Sequence, residues 1–290
     1  MSRERVALVA KMSWLDKVAD VVKTVAAPIA GEPAPRLVKD GLVGVWLGHP
    51  LHPLVVAAPI GAWTSALLYD LMDEERAADT AVLFGIAGAL ASAVTGMAQY
   101  YDATTGKEPR RLGALHAAFN TAALTAYSAS AMLRSRGQRG AGQAASSIGY
   151  LFLMGGGLVG GDLAYTLGIG VDHAAFDKEP TKWVDVIAEA DLPDGKPVRV
   201  EAKGAPVMLL RDGGEIHAVG AKCTHLGGPM DEGEIDLTAC TTTCPWHQSV
   251  FNLRDGSVVH GPATVSLPAY EVKREGGRVL VRLEKRPALI

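Results

Sequence analysis

Four apolar stretches fill most of positions 53–171: Pro53 to Met72, Ala77 to Tyr100, Leu112 to Leu133 and Ser147 to Val171. Each is close to the about 20 residues a helix needs to cross the hydrocarbon core of a bilayer. The charges gather between them, in DEER at 73–76, TTGKEPRR at 104–111 and RSRGQR at 134–139. Four such lengths in succession point away from buried helices of a soluble protein and predict a four-helix transmembrane domain over residues 47–175. In the fourth stretch Gly156 and Gly160, and Gly157 and Gly161, recur at the spacing that lets helices approach closely in lipid.

Residues 1–46 read differently. Ser13 is placed to cap a helix, Asp16 follows in its first turn, and Trp14, Leu15, Val18, Val21, Val22 and Val25 recur at helical spacing. Such a helix either lies along a membrane interface or packs on protein. The stretch from Ala27 to Gly44, with Gly31, Pro33 and Pro35, reads as a linker.

Beyond the apolar region the informative feature is a quartet: Cys223-Thr-His225, eighteen residues, then Cys244-Pro-Trp-His247. Two thiolates on one iron and two imidazoles on the other make a mixed-ligand [2Fe-2S] cluster, and neutral imidazoles raise its reduction potential above that of an all-thiolate cluster. A Cys2His2 set also suits zinc. Zinc motifs, however, usually pair Cys with Cys and His with His, whereas both halves here are mixed. Cys240 is the third cysteine and reads as a buried apolar side chain. With two cysteines committed to iron no disulfide framework remains, which fits a reducing compartment.

Residues 181–287 are expected to form a small antiparallel β domain, with strands at Val198 to Glu201, Pro206 to Leu210, Glu215 to Val219, Val265 to Leu267 and Val279 to Leu283. CTHLGG, CPWHQSVFN, the Asp255-Gly256 turn and GPA, in that order, resemble a Rieske [2Fe-2S] domain of the ferredoxin-like type. The resemblance makes Cys223, His225, Cys244 and His247 the cluster ligands. Around them it sets Leu226, Ser249, Phe251, and the covering turn of Gly261 and Pro262. Rieske proteins of cytochrome bc complexes carry a disulfide whose cysteines fall here on Gly228 and Trp246, and a potential-raising tyrosine that falls on Phe251. A potential below the bc type is therefore expected. The acidic run Asp231, Glu232, Glu234 and Asp236 is either a solvated loop or a docking site for a basic partner.

GHPLHPLVVAAPIG, YYDATTGKEPRRLGALHAAFN and GGDLAYTLGIGVDH resemble a bacterial four-helix membrane family to which no activity is attached. The fold class expected is thus membrane α plus soluble β, a four-transmembrane-helix bundle followed by a Rieske domain.

Four spans return both chain ends to one side. Arg36, Lys39, Lys107, Arg110, Arg111, Lys178 and Lys182 flank that side, against Arg76, Arg134, Arg136 and Arg139 on the other, a seven-to-four bias toward cytoplasmic termini. MSRERVALVAKMSW holds only a five-residue apolar run before Lys11, short for a signal-peptide core. No twin-arginine signal directly precedes the last span, so the expected location is multi-pass in the inner membrane with the cluster cytoplasmic. A net charge of -3 gives no reason to expect nucleic acid.

His49, His52, His116 and His173 all map to the face that carries the cluster domain, with Asn120 and Asp162 about 12–14 Å deep at 1.5 Å per residue. Intramembrane polar groups of this kind mark functional sites. They suit a b-type haem held by two histidines, His52 and His116 first, or a quinone-head site, or a proton relay. The function expected is single-electron transfer between a membrane donor or quinone pool and a redox partner, within a larger respiratory or oxidoreductase complex. The alternatives are a redox sensor or assembly factor without turnover, and the electron-supplying component of an oxygenase system. The chain itself is not expected to be an oxygenase, since a mononuclear iron site needs two further histidines and a carboxylate, and only His260 and 43 residues in all follow His247.

Overall fold

The computed structural model describes residues 2–31, 34–103 and 106–284. The chain forms two compact units, Met1–Val43 with Pro50–Ile169 and Gly44–His49 with Gly170–Ile290.

The first unit is helical. In chain order it holds α1 (Ser2–Val9), α2 (Leu15–Ala30), α3 (Arg36–Val43), α4 (His52–Val55), α5 (Ala57–Leu71), α6 (Glu75–Ala103), α7 (Lys107–Ser135) and α8 (Arg139–Tyr165). Its packing is inverted relative to a water-soluble core. Ala62, Ala66, Ala78, Gly85, Ser92, Thr95, Ala123, Ser130, Ser146 and Gly149 are buried, while Leu68, Leu71, Leu83, Phe84, Leu90, Leu151, Met154 and Leu158 point outward. Small residues inside let backbones approach closely, and large apolar ones outside suit hydrocarbon. Among the described residues of this unit two large rings are buried, Trp63 and Tyr127, stacked with centroids 4.0 Å apart.

Among the described residues three helices are long and apolar enough to cross a membrane: His52–Leu71, Glu75–Ala103 and Arg139–Tyr165. The expected fourth, Leu112 to Leu133, lies in α7, which is as long as α6 at 29 residues but falls short in apolarity. The reason is its position. α7 packs on α1, α2, α6 and α8, so protein rather than lipid covers much of it, and it carries Arg110, Arg111, His116, Asn120 and Arg134.

Several boundaries differ from expectation. α8 ends at Tyr165 rather than continuing to Val171, and Gly168 and Gly170 follow it with positive φ. The N-terminal helix starts after Trp14, with no side chain capping it, so Ser13 does not serve as its cap. One face of α2 packs on protein through Leu15 and Ala19, in a cluster with Leu112 and Ala114, while Trp14, Val21 and Val25 on the other face are exposed. The expected linker contains α3, and α2 runs through Pro28; Pro33 lies outside the described residues.

Buried polar groups tie the helices together. The Arg134 side chain, 2% exposed, donates to Asp70, Asp79 and Ser130, and Arg139 also reaches Asp70 and Asp79. Arg5 of α1 holds Asp162 at 2.9 and 2.8 Å through two nitrogens, a bidentate charge-assisted pair.

The second unit is antiparallel β: β1 (Val184–Ala188), β2 (Val198–Ala202), β3 (Ala205–Asp212), β4 (Glu215–Gly220), β5 (Glu234–Asp236), β6 (Thr241–Thr243), β7 (Val250–Asn252), β8 (Val258–His260), β9 (Tyr270–Glu275) and β10 (Arg278–Leu283). The sheets run β1-β10-β9, β2-β3-β4 and β5-β6-β7-β8. The run Pro206-Val-Met-Leu-Leu of β3 is apolar throughout because both of its faces are covered. Val207 and Leu209 join a core with Val200, Ala218, Val279 and Val281, and Met208 and Leu210 join one with Met230, Phe251 and the three cysteines. Val265 to Leu267 is not a strand. Its carbonyls and amides are engaged singly instead, with Thr224 Oγ1 donating to Val265 O and Leu267 N donating to Gly256 O.

Candidate iron–sulfur centre

Two tight loops supply the quartet, one leaving β4 and one joining β6 to β7. In the first, Cys223 N donates to Gly228 O at 2.8 Å and Gly227 N returns to Cys223 O at 2.9 Å. The turn requires Gly227 at φ +78, in the left-handed region that glycine enters without strain. In the second, Cys244 N donates to Ser249 O at 2.8 Å and Gln248 N to Cys244 O at 3.1 Å. The same closure on both sides brings like ligands together. The two thiols hydrogen-bond each other, and the His225 and His247 rings stand perpendicular with centroids 5.0 Å apart.

The sulfurs lie in the core, Cys223 and Cys244 each 1% exposed, whereas both imidazoles are half-buried at the rim. Donation from the Cys223 thiol, aided by the backbone N–H groups of Trp246 and His247, holds Cys244 down at about 6; the same bond, together with burial, pushes Cys223 up. Backbone N–H groups of His225 and Leu226 also point to the Cys223 sulfur. Thiolate character, four N–H donors to sulfur and a separate imidazole pair fit a [2Fe-2S] cluster with one iron on the cysteines and the other on the histidines.

The surroundings hold these loops. Ser249 is fully buried and its Oγ accepts the Ala263 N–H at 2.9 Å, which ties the second loop to the covering turn of the buried Gly261 and Pro262. Phe251 is fully buried opposite Thr242. Leu226 is half-buried beside His225. Cys240 belongs to the core, with its sulfur 3.8 Å from His217 Nε2. Two supports were not signalled by the motif. Thr224, between the first two ligands, accepts the His173 N–H at its carbonyl, 3.0 Å, and Lys222 pairs with Asp177 at 2.5 Å. Both bonds join residues about fifty positions apart, so no local pattern announces them.

The remaining site residues expected from sequence separate. His49 and His173 belong to the β unit. In the helical unit His52 and His116 come together, perpendicular, with centroids 6.3 Å apart, and Asn120 donates to His116 Nε2 at 3.2 Å. Asp162 is not deep in a span. It sits three residues from the end of α8, about 4–5 Å along the axis, and Arg5 takes both of its oxygens.

A mixed thiolate and imidazole centre on a small antiparallel scaffold defines a class of iron–sulfur protein. The comparisons agree with that class. Residues 182–271 match the Rieske [2Fe-2S] domain, and residues 48–173 match the family described as a predicted membrane protein, DUF2231. The ferredoxin component of the naphthalene 1,2-dioxygenase system of Pseudomonas aeruginosa is 33% identical over 102 residues, covering 35% of this chain and 96% of that protein. Human apoptosis-inducing factor 3 is 38% identical over 96 residues, 33% of this chain, and the chain spans only 16% of that protein. Among solved structures, the ferredoxin of carbazole 1,9a-dioxygenase from Nocardioides aromaticivorans IC177 is 28% identical with a TM-score of 0.34, covering 36% of this chain and 99% of that one. The chain belongs to the Rieske [2Fe-2S] ferredoxin family, with a DUF2231 domain joined ahead of the cluster domain.

Proposed function

We propose that this protein is a membrane-anchored carrier of single electrons, moving them between a quinol or other membrane donor and a redox partner, as part of a larger oxidoreductase assembly. The observation that carries the reading is the two-and-two ligand geometry, in a chain whose other unit turns its large apolar side chains outward. When bound, the [2Fe-2S] cluster supplies a one-electron couple.

The residues set the rest. Cys223 and Cys244 shield their sulfurs from water, which together with the N–H donors stabilises negative charge without hydration. His225 and His247 form the approach for a partner, and their ring protons couple the electron to pH because imidazole ionisation responds to nearby charge. Glu232, Glu234 and Asp236 are exposed and attract a basic partner, while Asp231 is paired with Arg199.

In this reading α4 with α5, α6, α7 and α8 form a four-span bundle in the inner membrane, and the lysine and arginine bias sets both termini and the cluster domain in the cytoplasm. A second destination is favoured by the dioxygenase ferredoxins among its relatives: delivery of electrons to an oxygenase partner.

The test is electron paramagnetic resonance of inner-membrane vesicles given a soluble quinol. The reading expects a Rieske signal that appears on quinol addition and decays when an acceptor oxidises it. A signal that appears with dithionite but never with quinol removes the quinol donor. A signal that never turns over leaves the sensor reading.

A further inference from the structure

We propose that His52 and His116 are the two axial ligands of a b-type haem inside the helical unit, a second one-electron centre besides the iron–sulfur cluster. This deepens the carrier reading and rests on it for its purpose, though not for its chemistry.

Both rings are fixed by main-chain acceptors. His52 Nδ1 lies 3.0 Å from Ser92 O on α6 and 3.3 Å from Thr95 Oγ1, and His116 Nδ1 lies 2.9 Å from Gly156 O on α8. A carbonyl only accepts, so each imidazole carries its proton on Nδ1 and keeps a lone pair on Nε2. That tautomer, held by a backbone carbonyl, is how protein scaffolds orient a histidine toward a metal. It is a poor match for a quinone carbonyl, which needs a donor.

The separation leaves room for one metal between the two rings. With metal–nitrogen bonds of about 2.0–2.1 Å and a ring centre about 1.1 Å behind each nitrogen, two imidazoles on opposite sides of one metal have centroids about 6.3 Å apart, and two at a tetrahedral angle about 5.2 Å. The cluster pair, His225 and His247, stands at 5.0 Å, and the helical pair at 6.3 Å. The first suits neighbouring positions on one iron. The second suits two donors on one line, with the four nitrogens of a porphyrin completing the coordination.

Glycines make room for these rings in particular. A Cβ on Gly96 would begin 2.8 Å from His52 Cε1, and one on Gly160 would begin 3.0 Å from His116 Cε1. The Gly156 and Gly160 pair of α8 therefore seats Asn120 and His116 as well as bringing two helices close. Asn120 bridges His116 O and Nε2 at 2.8 and 3.2 Å; the longer bond is the one a metal would replace.

The experiment is the reduced-minus-oxidised optical spectrum and pyridine haemochrome assay of the full chain, purified in mild detergent from haem-supplemented cells. One haem per chain is expected. His52→Ala and His116→Ala each lower haem content at least tenfold while the helical circular-dichroism signal and thermal stability in detergent match the parent, which shows the helical unit still folds. His52→Met and His116→Met keep a ligand in place, so they retain haem and raise its reduction potential. Gly160→Leu, whose side chain would crowd the His116 ring, also lowers haem content. A preparation with a full cluster signal and no haem, haem unaffected by both alanine variants, or copper in place of haem overturns the proposal. Cys223→Ser removes the cluster signal and leaves the haem band, so the two centres succeed or fail separately.

Discussion

Gly228 lies against Trp246: a side chain on the glycine would begin 3.2 Å from Cγ and Cδ2 of the indole, and 2.8 Å from the Cys244 sulfur. By the resemblance to bc-type Rieske proteins these two positions fall where their disulfide cysteines stand, and here the glycine lies against both the exposed indole and the buried Cys244 sulfur. Gly228→Ala drives a methyl group onto that sulfur. The expected result is a several-fold loss of iron and acid-labile sulfide per chain, and unchanged loading would refute the close approach.

Ser249 and Phe251 are the expected handles on potential. Ser249→Ala leaves the buried Ala263 N–H without its acceptor, a cost of about 1–3 kcal/mol, and removes a hydroxyl beside the ligand loop. The melting temperature of the cluster domain should fall, and the potential should drop on the order of tens of millivolts, since about 59 mV corresponds to a tenfold change for one electron. Phe251→Tyr restores the hydroxyl of the bc pattern and should shift the potential the other way. Redox titration of both variants checks the pair, and shifts of the same sign would contradict it.

Arg134 is the expected weak point of the helical unit. Its side chain is 2% exposed and Asp70 beside it 8%, so removing Arg134 leaves the buried Asp70 to Arg139 and Gln143, at a cost below the about 3–5 kcal/mol of a fully stranded buried charge. Arg134→Ala should lower thermal stability in detergent sharply, and Asp70→Asn combined with it should recover part of the loss. An alanine variant as stable as the parent would mean that water reaches the site.

Iron removal should order the thiols by reactivity. After chelation, Cys244, held at about 6, is mostly thiolate at pH 7 and should be alkylated before Cys240, whose thiol is pushed above its ordinary value by burial. Raising the pH increases the thiolate fraction, so labelling of Cys240 should accelerate only above the ordinary thiol range. Peptide mapping that finds Cys240 modified first at pH 7 would reverse the assignment.

The quartet's spacing and four of the ten described strands, β2, β3, β4 and β10, are legible in the sequence because their signals are local. Loop chemistry sets the ligand spacing, and alternating or continuous apolar runs mark strands by how many faces are covered, as in Val207 to Leu210. What escaped the sequence depends on distant partners. Arg5 and Asp162 are 157 positions apart, so Asp162 looked like an isolated intramembrane charge until α8 ended early and α1 supplied a guanidinium. α7 is less apolar than the other long helices because neighbouring helices pack on much of its surface, a covering that the sequence does not display. Gly160 reads in the sequence as a packing glycine, and only the His116 ring against it shows what it accommodates.

The burial of both sulfurs with both imidazoles left at the rim gives this centre a single door. Tunnelling rates fall steeply with distance, so a protein that binds the other sides of the β unit meets an insulator. Selection among the many reductants and oxidants of a cell is then made by where a partner can land, before any difference in driving force is felt.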